Sequence, residues 1–171
     1  MDFVGSPTWF AVLISIHIIG AIVGIGPAFA FGVIGAVNAK AGEGATLALL
    51  QVTRNIERFM LAPTVRFLQW SSGVLLIFNR GLNNNFFAWR HGWLIASILL
   101  YVVMLLLGEF VNAPTVKKML AMAESGAPKA EVDAAGLRMQ KLGPFYPLAT
   151  LVIAVLMIWK PGSGCGVLLR C

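Results

Sequence analysis

Four long apolar stretches alternate along the chain with shorter segments that carry most of its charge. No charged residue falls between Asp2 and Lys40, and residues 9–36 form an apolar run. A bilayer crossing takes about 20 such residues at 1.5 Å rise each. Residues 60–79 predict a second span, interrupted by Thr64, Arg66, Gln69, Ser71 and Ser72; residues 93–110 predict a third, with Glu109 at its end. Residues 145–159 predict a shorter fourth, between Gly143-Pro144 and Lys160-Pro161-Gly162. Backbone polar groups in lipid must be satisfied within each span, so the spans read as helices. The expected fold is all-α: a four-helix transmembrane bundle with short amphipathic cytoplasmic helices, one integral membrane domain over residues 1–171.

The connecting segments carry helical patterns of their own. Residues 45–59 place Leu47, Leu50, Ile56 and Phe59 against Arg54, Glu57 and Arg58, as in a helix lying on the membrane surface or extending the second span inward. Pro114 opens a stretch over residues 115–123, and Ser125-Gly126-Ala127-Pro128 breaks the pattern before residues 130–142. Asn83-Asn84-Asn85 marks a tight turn between the second and third spans.

Composition excludes a water-soluble globule. Of 171 residues, 58% are hydrophobic and only 12% charged, about half the charge of an ordinary soluble domain. The net charge of +6 comes from 13 basic and 7 acidic residues. It reflects loop asymmetry rather than nucleic-acid binding. Lys40, Arg54, Arg58, Lys117, Lys118, Lys129, Arg138 and Lys141 fall in the two longer connections; Arg80, Arg90, Lys160 and Arg170 fall on the other side. The positive-inside rule then puts both termini outside and the longer connections in the cytoplasm. Trp9, Trp89, Trp93 and Trp159 would anchor the outer interface. Met1-Asp2-Phe3-Val4 lacks the basic start of a signal peptide, and the apolar run outlasts a signal core, so the first span reads as mature structure.

The first span holds the most pattern. Gly20, Gly24, Ala28, Gly32 and Ala36 recur every four residues, a small-residue stripe of the kind that lets a neighbouring helix approach closely. Pro27 falls inside it and predicts a kink near Val23. Packing plus a bend is one reading; room for a bound group is the other. His17 shares the stripe, roughly 12 Å below the outer surface. An imidazole at that depth either bonds a neighbouring helix or serves a site as a metal ligand or proton relay. Haem b or copper are the candidate cofactors, with the metal unknown. His91, beside Arg90, reads as a solvated rim residue.

Arg66 lies roughly 9 Å into the second span, with Gln69, Trp70 and Gly73 at helical offsets on the same face. Glu109 reaches the same level on the third span, and Tyr101 stands two turns above it. This predicts a polar cluster of Arg66, Gln69, Tyr101 and Glu109, serving as an interhelical clamp or as a quinone or small-anion pocket. Tyr146, Pro147 and Thr150 read as interfacial, with site lining as the alternative. Cys165 and Cys171 form no metal knuckle. No catalytic constellation is present: there is no Walker loop, no dinucleotide fingerprint and no Ser-His-Asp pattern.

The run His17-Ile18-Ile19-Gly20-Ala21-Ile22-Val23-Gly24-Ile25-Gly26-Pro27-Ala28-Phe29 resembles the opening of a bacterial family of predicted integral membrane proteins, domain of unknown function 2269. Arg54-Asn55-Ile56-Glu57-Arg58 and Met157-Ile158-Trp159-Lys160-Pro161-Gly162 look like its later landmarks. The resemblance implies a four-helix membrane protein with no assigned reaction. A more distant similarity runs to the copper-resistance D-type proteins and the haem-binding protoporphyrinogen oxidases, and it would make His17 a haem or copper ligand. The chain departs from the oxidase pattern in lacking a tryptophan soon after His17, a Tyr-Pro-Arg segment and a lysine in the third span. The expectation is a transport-related, accessory or scaffold component of the bacterial inner membrane. Its partners would be the lipid bilayer and either copies of itself or a larger membrane complex.

Overall fold

The computed structural model describes residues 7–78 and 91–161. They form four long helical rods, Thr8–Lys40, Glu43–Phe78, Gly92–Glu124 and Lys129–Trp159, each apolar and long enough to cross a membrane. The first rod is α1 (Pro7–Ile25) and α2 (Pro27–Lys40); the second is α3 (Glu43–Ile56), two π-helical segments over Glu57–Leu61 and Thr64–Gln69, and α4 (Trp70–Phe78). The third is α5 (Gly92–Leu107), a π-helical segment over Gly108–Asn112 and α6 (Ala113–Glu124); the fourth is α7 (Lys129–Leu142) and α8 (Phe145–Trp159). No strand occurs among the described residues.

The amphipathic stretches are thus collinear with the spans rather than separate surface helices. Of the two options for residues 45–59, the extension of the second span is the one adopted. A bilayer accounts for only part of a rod of 31–36 residues, so the bundle continues beyond the apolar layer. Asn79, the Asn83–Asn85 turn, Trp89, Arg80, Arg90, Arg170, Cys165 and Cys171 lie outside the described residues.

The rods run up and down in cyclic order. α1 packs on the second rod's Thr64–Phe78 half, α2 on α3, α3 on α6, α5 on α8, α6 on α7, and α2 closes the ring on α8. The two hairpins lie at one end, here the hairpin end; Thr8, Phe78, Gly92 and Trp159 lie at the other, the terminal end. Ala41-Gly42 alone joins the first two rods. The third rod stops at Gly126, whose φ of +77° suits glycine. Gly126 N–H donates to Ala123 O (3.2 Å) and Ala127 N–H to Met122 O (3.0 Å), the paired bonds of a Schellman ending. Pro128 then starts the fourth rod.

Each rod carries a proline near its middle: Pro27, Pro63, Pro114 and Pro144. All four sit roughly 20–35 Å from the terminal end, at 1.5 Å per residue. A proline takes away the amide that would have bonded the carbonyl four residues earlier, and each rod is irregular nearby. The first rod breaks at Gly26, three residues beyond the expected Val23. Gly26 N–H still reaches Ile22 O at 3.1 Å, so the ladder holds until the proline itself. The second rod widens into π turns on both sides of Pro63, and the third does so just before Pro114.

Two buried layers hold the ends. At the hairpin end Leu50, Met119 and Val132 form a core, with Leu120, Met122, Ala135 and Met139 against it. Near the terminal end Leu13, Leu76, Trp93, Leu94 and Ser97 are buried. Two expectations are corrected here. Trp93 is buried rather than an interfacial anchor, and His91 is buried rather than solvated, stacked on Trp93 at 6.2 Å between ring centroids. The His91 carbonyl accepts from Leu94 and Ile95 N–H, so residue 91 starts α5 and is drawn in with it. Between the layers, α2 has no buried residue. Ile18, Ile22, Phe67, Leu99, Val155 and Ile158 face outward, where a lipid environment suits them.

Candidate functional site

The small-residue stripe divides at Pro27. Gly20 and Gly24 are buried against the second rod: a Cβ at 20 would stand 2.9 Å from Gln69 Oε1, and one at 24 would stand 2.6 Å from Thr64 Oγ1. Gly32 has nothing within 4 Å of where its Cβ would be. The expectation of one continuous packing stripe therefore holds only for its first half. Past the bend, Ala28 and Gly32 face a cavity instead.

His17 points at the second rod. Its Nδ1 lies 3.0 Å from Ser72 Oγ and its Nε2 lies 3.0 Å from Gln69 Nε2. Ser72 donates its own proton to Leu68 O at 2.6 Å, and the Gln69 amide nitrogen is a donor. The ring consistent with both partners is neutral, with the proton on Nδ1. Gly73 makes room for it: a Cβ there would come within 3.2 Å of His17 Cε1. Both ring nitrogens thus have partners, and metal ligation would have to displace one. Among the described residues no group of three His, Cys, Asp or Glu side chains could hold a metal ion.

The predicted polar cluster separates into two. Gln69 joins His17, whereas Arg66 turns to the third rod and makes a two-pronged ion pair, Nε to Glu109 Oε1 and Nη2 to Oε2. Trp70 stacks on Tyr101, with 6.2 Å between centroids and 10° between planes. The Tyr101 hydroxyl donates to the Val65 carbonyl. The cause of the split lies in the backbone. Thr64–Gln69 is π-helical, and i→i+5 turns take more residues per revolution than an α-helix. Residues 66 and 69 therefore do not share the face that α-helical offsets assign them.

Between the rods lies a cavity of about 600 Å³, lined among others by Gly24, Ala28, Gly32, Asn38, Arg66, Tyr101, Glu109, Asn112 and Tyr146. Its walls are largely apolar. Asn38 Oδ1, Asn112 Oδ1 and the Tyr146 hydroxyl are buried oxygens with no hydrogen-bond partner. Asn112 and Tyr146 lie within reach of one another, so each can partner the other or a guest. Buried polar atoms in folded proteins are nearly always satisfied; these three, from the first, third and fourth rods, line the cavity, while Thr46 Oγ1, Gln69 Oε1, Asp133 Oδ1 and Thr150 Oγ1 are in the same state elsewhere among the described residues. Tyr146 lines this site rather than serving only the interface. Asn38 and Asn112 were not singled out from the sequence, although a lone amide at the edge of an apolar run is the signal that marks them.

This volume, with apolar walls and a few polar groups, is that of a small-molecule pocket. Every residue named in the site falls within residues 11–161, the segment matched by the family model "Predicted integral membrane protein (DUF2269)". No curated protein and no solved structure matches the chain. With four apolar rods and a family match over most of its length, the chain belongs to the DUF2269 family of predicted integral membrane proteins.

Proposed function

We propose that this protein binds an amphiphilic small molecule in the cavity between its rods, as a binding or transport-related component of the bacterial inner membrane. The observation that carries the reading is the cavity itself: about 600 Å³ with largely apolar walls and three unpartnered buried oxygens. An apolar chain would lie along Ala28, Phe29 and Gly32, and a polar head group would meet Asn38, Asn112 and Tyr146. The scaffold role is kept by the same geometry, since the outward apolar faces suit copies of the chain or other membrane subunits.

The basic residues of the hairpin end support a cytoplasmic position for it and an outside position for both termini. The whole chain would then act as one membrane domain. Haem or copper at His17 is the competing reading, and it requires release of Ser72 or Gln69. A Soret band or stoichiometric copper that disappears in His17→Ala would favour it.

The test fills the cavity. Gly32→Trp and Gly35→Trp add bulk where no neighbour lies within 4 Å of the new Cβ, and both residues line the cavity. Binding of monooleoylglycerol by detergent-purified protein, followed by native mass spectrometry, should be lost in both variants. Equal binding by wild type and both variants overturns the proposal.

A further inference from the structure

The charges on the cavity wall are three: Glu57, Arg66 and Glu109. Arg66 is the sole cation among these lining residues, and it is already engaged. Two of its nitrogens bond the two oxygens of Glu109, which takes one bidentate edge of the guanidinium and balances its charge, while three of its five N–H donors lie outside that pair. Glu57 accepts from Arg54 Nη1 at 2.8 Å. An anionic head group would therefore meet two ion pairs, Arg54–Glu57 and Arg66–Glu109, with no net positive charge to hold it. The unpartnered atoms are of a different kind. Asn38 Oδ1 and Asn112 Oδ1 are acceptors, and the Tyr146 hydroxyl both donates and accepts. Hydroxyl groups on a ligand satisfy that set without bringing charge.

We infer that Glu109 is a specificity-determining residue of the cavity: by occupying Arg66 it restricts the head group to uncharged, hydroxyl-bearing amphiphiles and rejects anionic ones. The inference rests on the amphiphile reading above and adds the ligand class to it. Glu109→Gln keeps the shape and one acceptor for Arg66 but removes the negative charge. It turns a neutral pair into one with a net positive charge.

The experiment compares two probes with the same acyl chain, monooleoylglycerol and its phosphate-bearing counterpart, oleoyl lysophosphatidate. Both are titrated against purified wild type, Glu109→Gln and Arg66→Gln/Glu109→Gln, with Gly32→Trp as the blocked-cavity control. Wild type should bind the neutral probe at least about tenfold more tightly. Glu109→Gln should gain about tenfold or more for the phosphate probe, the scale of one hydrogen bond to a charged group. The double variant should lose that gain while keeping the neutral probe. Wild type binding both probes equally overturns the inference and leaves the amphiphile reading standing, provided that Gly32→Trp still blocks binding. Binding that Gly32→Trp does not change overturns the reading itself. The wild-type comparison needs no variant to fold.

Discussion

The side-chain nitrogen of Gln69 stands 3.0 Å from His17 Nε2, in space that exists because residue 20 has no Cβ; one placed there would be 2.9 Å from Gln69 Oε1. A glycine on the first rod and an amide on the second thus solve one problem together. The imidazole gains a partner within the apolar part of the bundle, where an unsatisfied polar group costs several kcal/mol.

This relationship sets an order among the glycines. Gly24→Ala drives a Cβ to 2.6 Å from Thr64 Oγ1 and 3.0 Å from Val65 Cγ2, and should destabilise by about 1–3 kcal/mol. Gly20→Ala meets the end of a flexible side chain and should cost less. Gly32→Ala meets nothing and should be neutral or stabilising by up to about 1 kcal/mol. Thermal unfolding in one detergent ranks them; a Gly32→Ala loss equal to that of Gly24→Ala would contradict the division of the stripe at Pro27.

The His17–Gln69 contact should appear as coupling. A double-mutant cycle with His17→Ala and Gln69→Ala should give about 0.6 kcal/mol and at most about 1.7, the average and the maximum measured for hydrogen bonds between membrane helices. Zero coupling would mean that the two side chains do not hold one another.

For Arg66 and Glu109 the single and double substitutions should differ in kind. Glu109→Ala leaves a guanidinium in the bundle without its partner and should cost about 1–3 kcal/mol. Arg66→Leu/Glu109→Leu removes both charges and should cost less, because an ion pair withdrawn from water is often replaceable by apolar contact. The pair is only partly enclosed, its side chains 43% and 36% exposed. A double variant less stable than either single one would reverse the argument.

Pro27→Ala should restore an amide facing the Val23 carbonyl. Its signature is slow hydrogen exchange at residue 27, together with weaker binding of monooleoylglycerol as the straightened rod moves Ala28 and Gly32. Fast exchange of the restored amide would show that the bend has another cause.

The chain's two cysteines, Cys165 and Cys171, offer a native topology probe. With the termini outside, a membrane-impermeant maleimide should label intact cells after outer-membrane permeabilisation. Labelling only after lysis would invert the orientation.

The spans were legible because apolar length is a strong signal: residues 93–110 and 145–159 lie within the third and fourth rods. The facing of Arg66 toward Glu109 was also legible, since antiparallel spans put equal depths side by side. What misled was the assumption of a constant α-helical period. The π turns at Thr64–Gln69 moved Gln69 to the face of His17; Pro63 marks an irregularity there, but no residue type specifies that it takes the π form. His91 and Trp93 misled for another reason. Position at a helix end suggests exposure, but neighbouring elements decide it, and the sequence does not show which side of α5 they cover.

Buried side chains gather toward both ends of the bundle, Leu50, Met119 and Val132 at one and Leu13, Leu76 and Trp93 at the other, whereas α2, along the cavity, has none. An amphiphilic guest of that cavity would be drawn from the bilayer, where it dissolves, more than from water. Occupancy would then follow the mole fraction of guest among the lipids, so that diluting it with inert lipid at fixed aqueous volume should empty the protein.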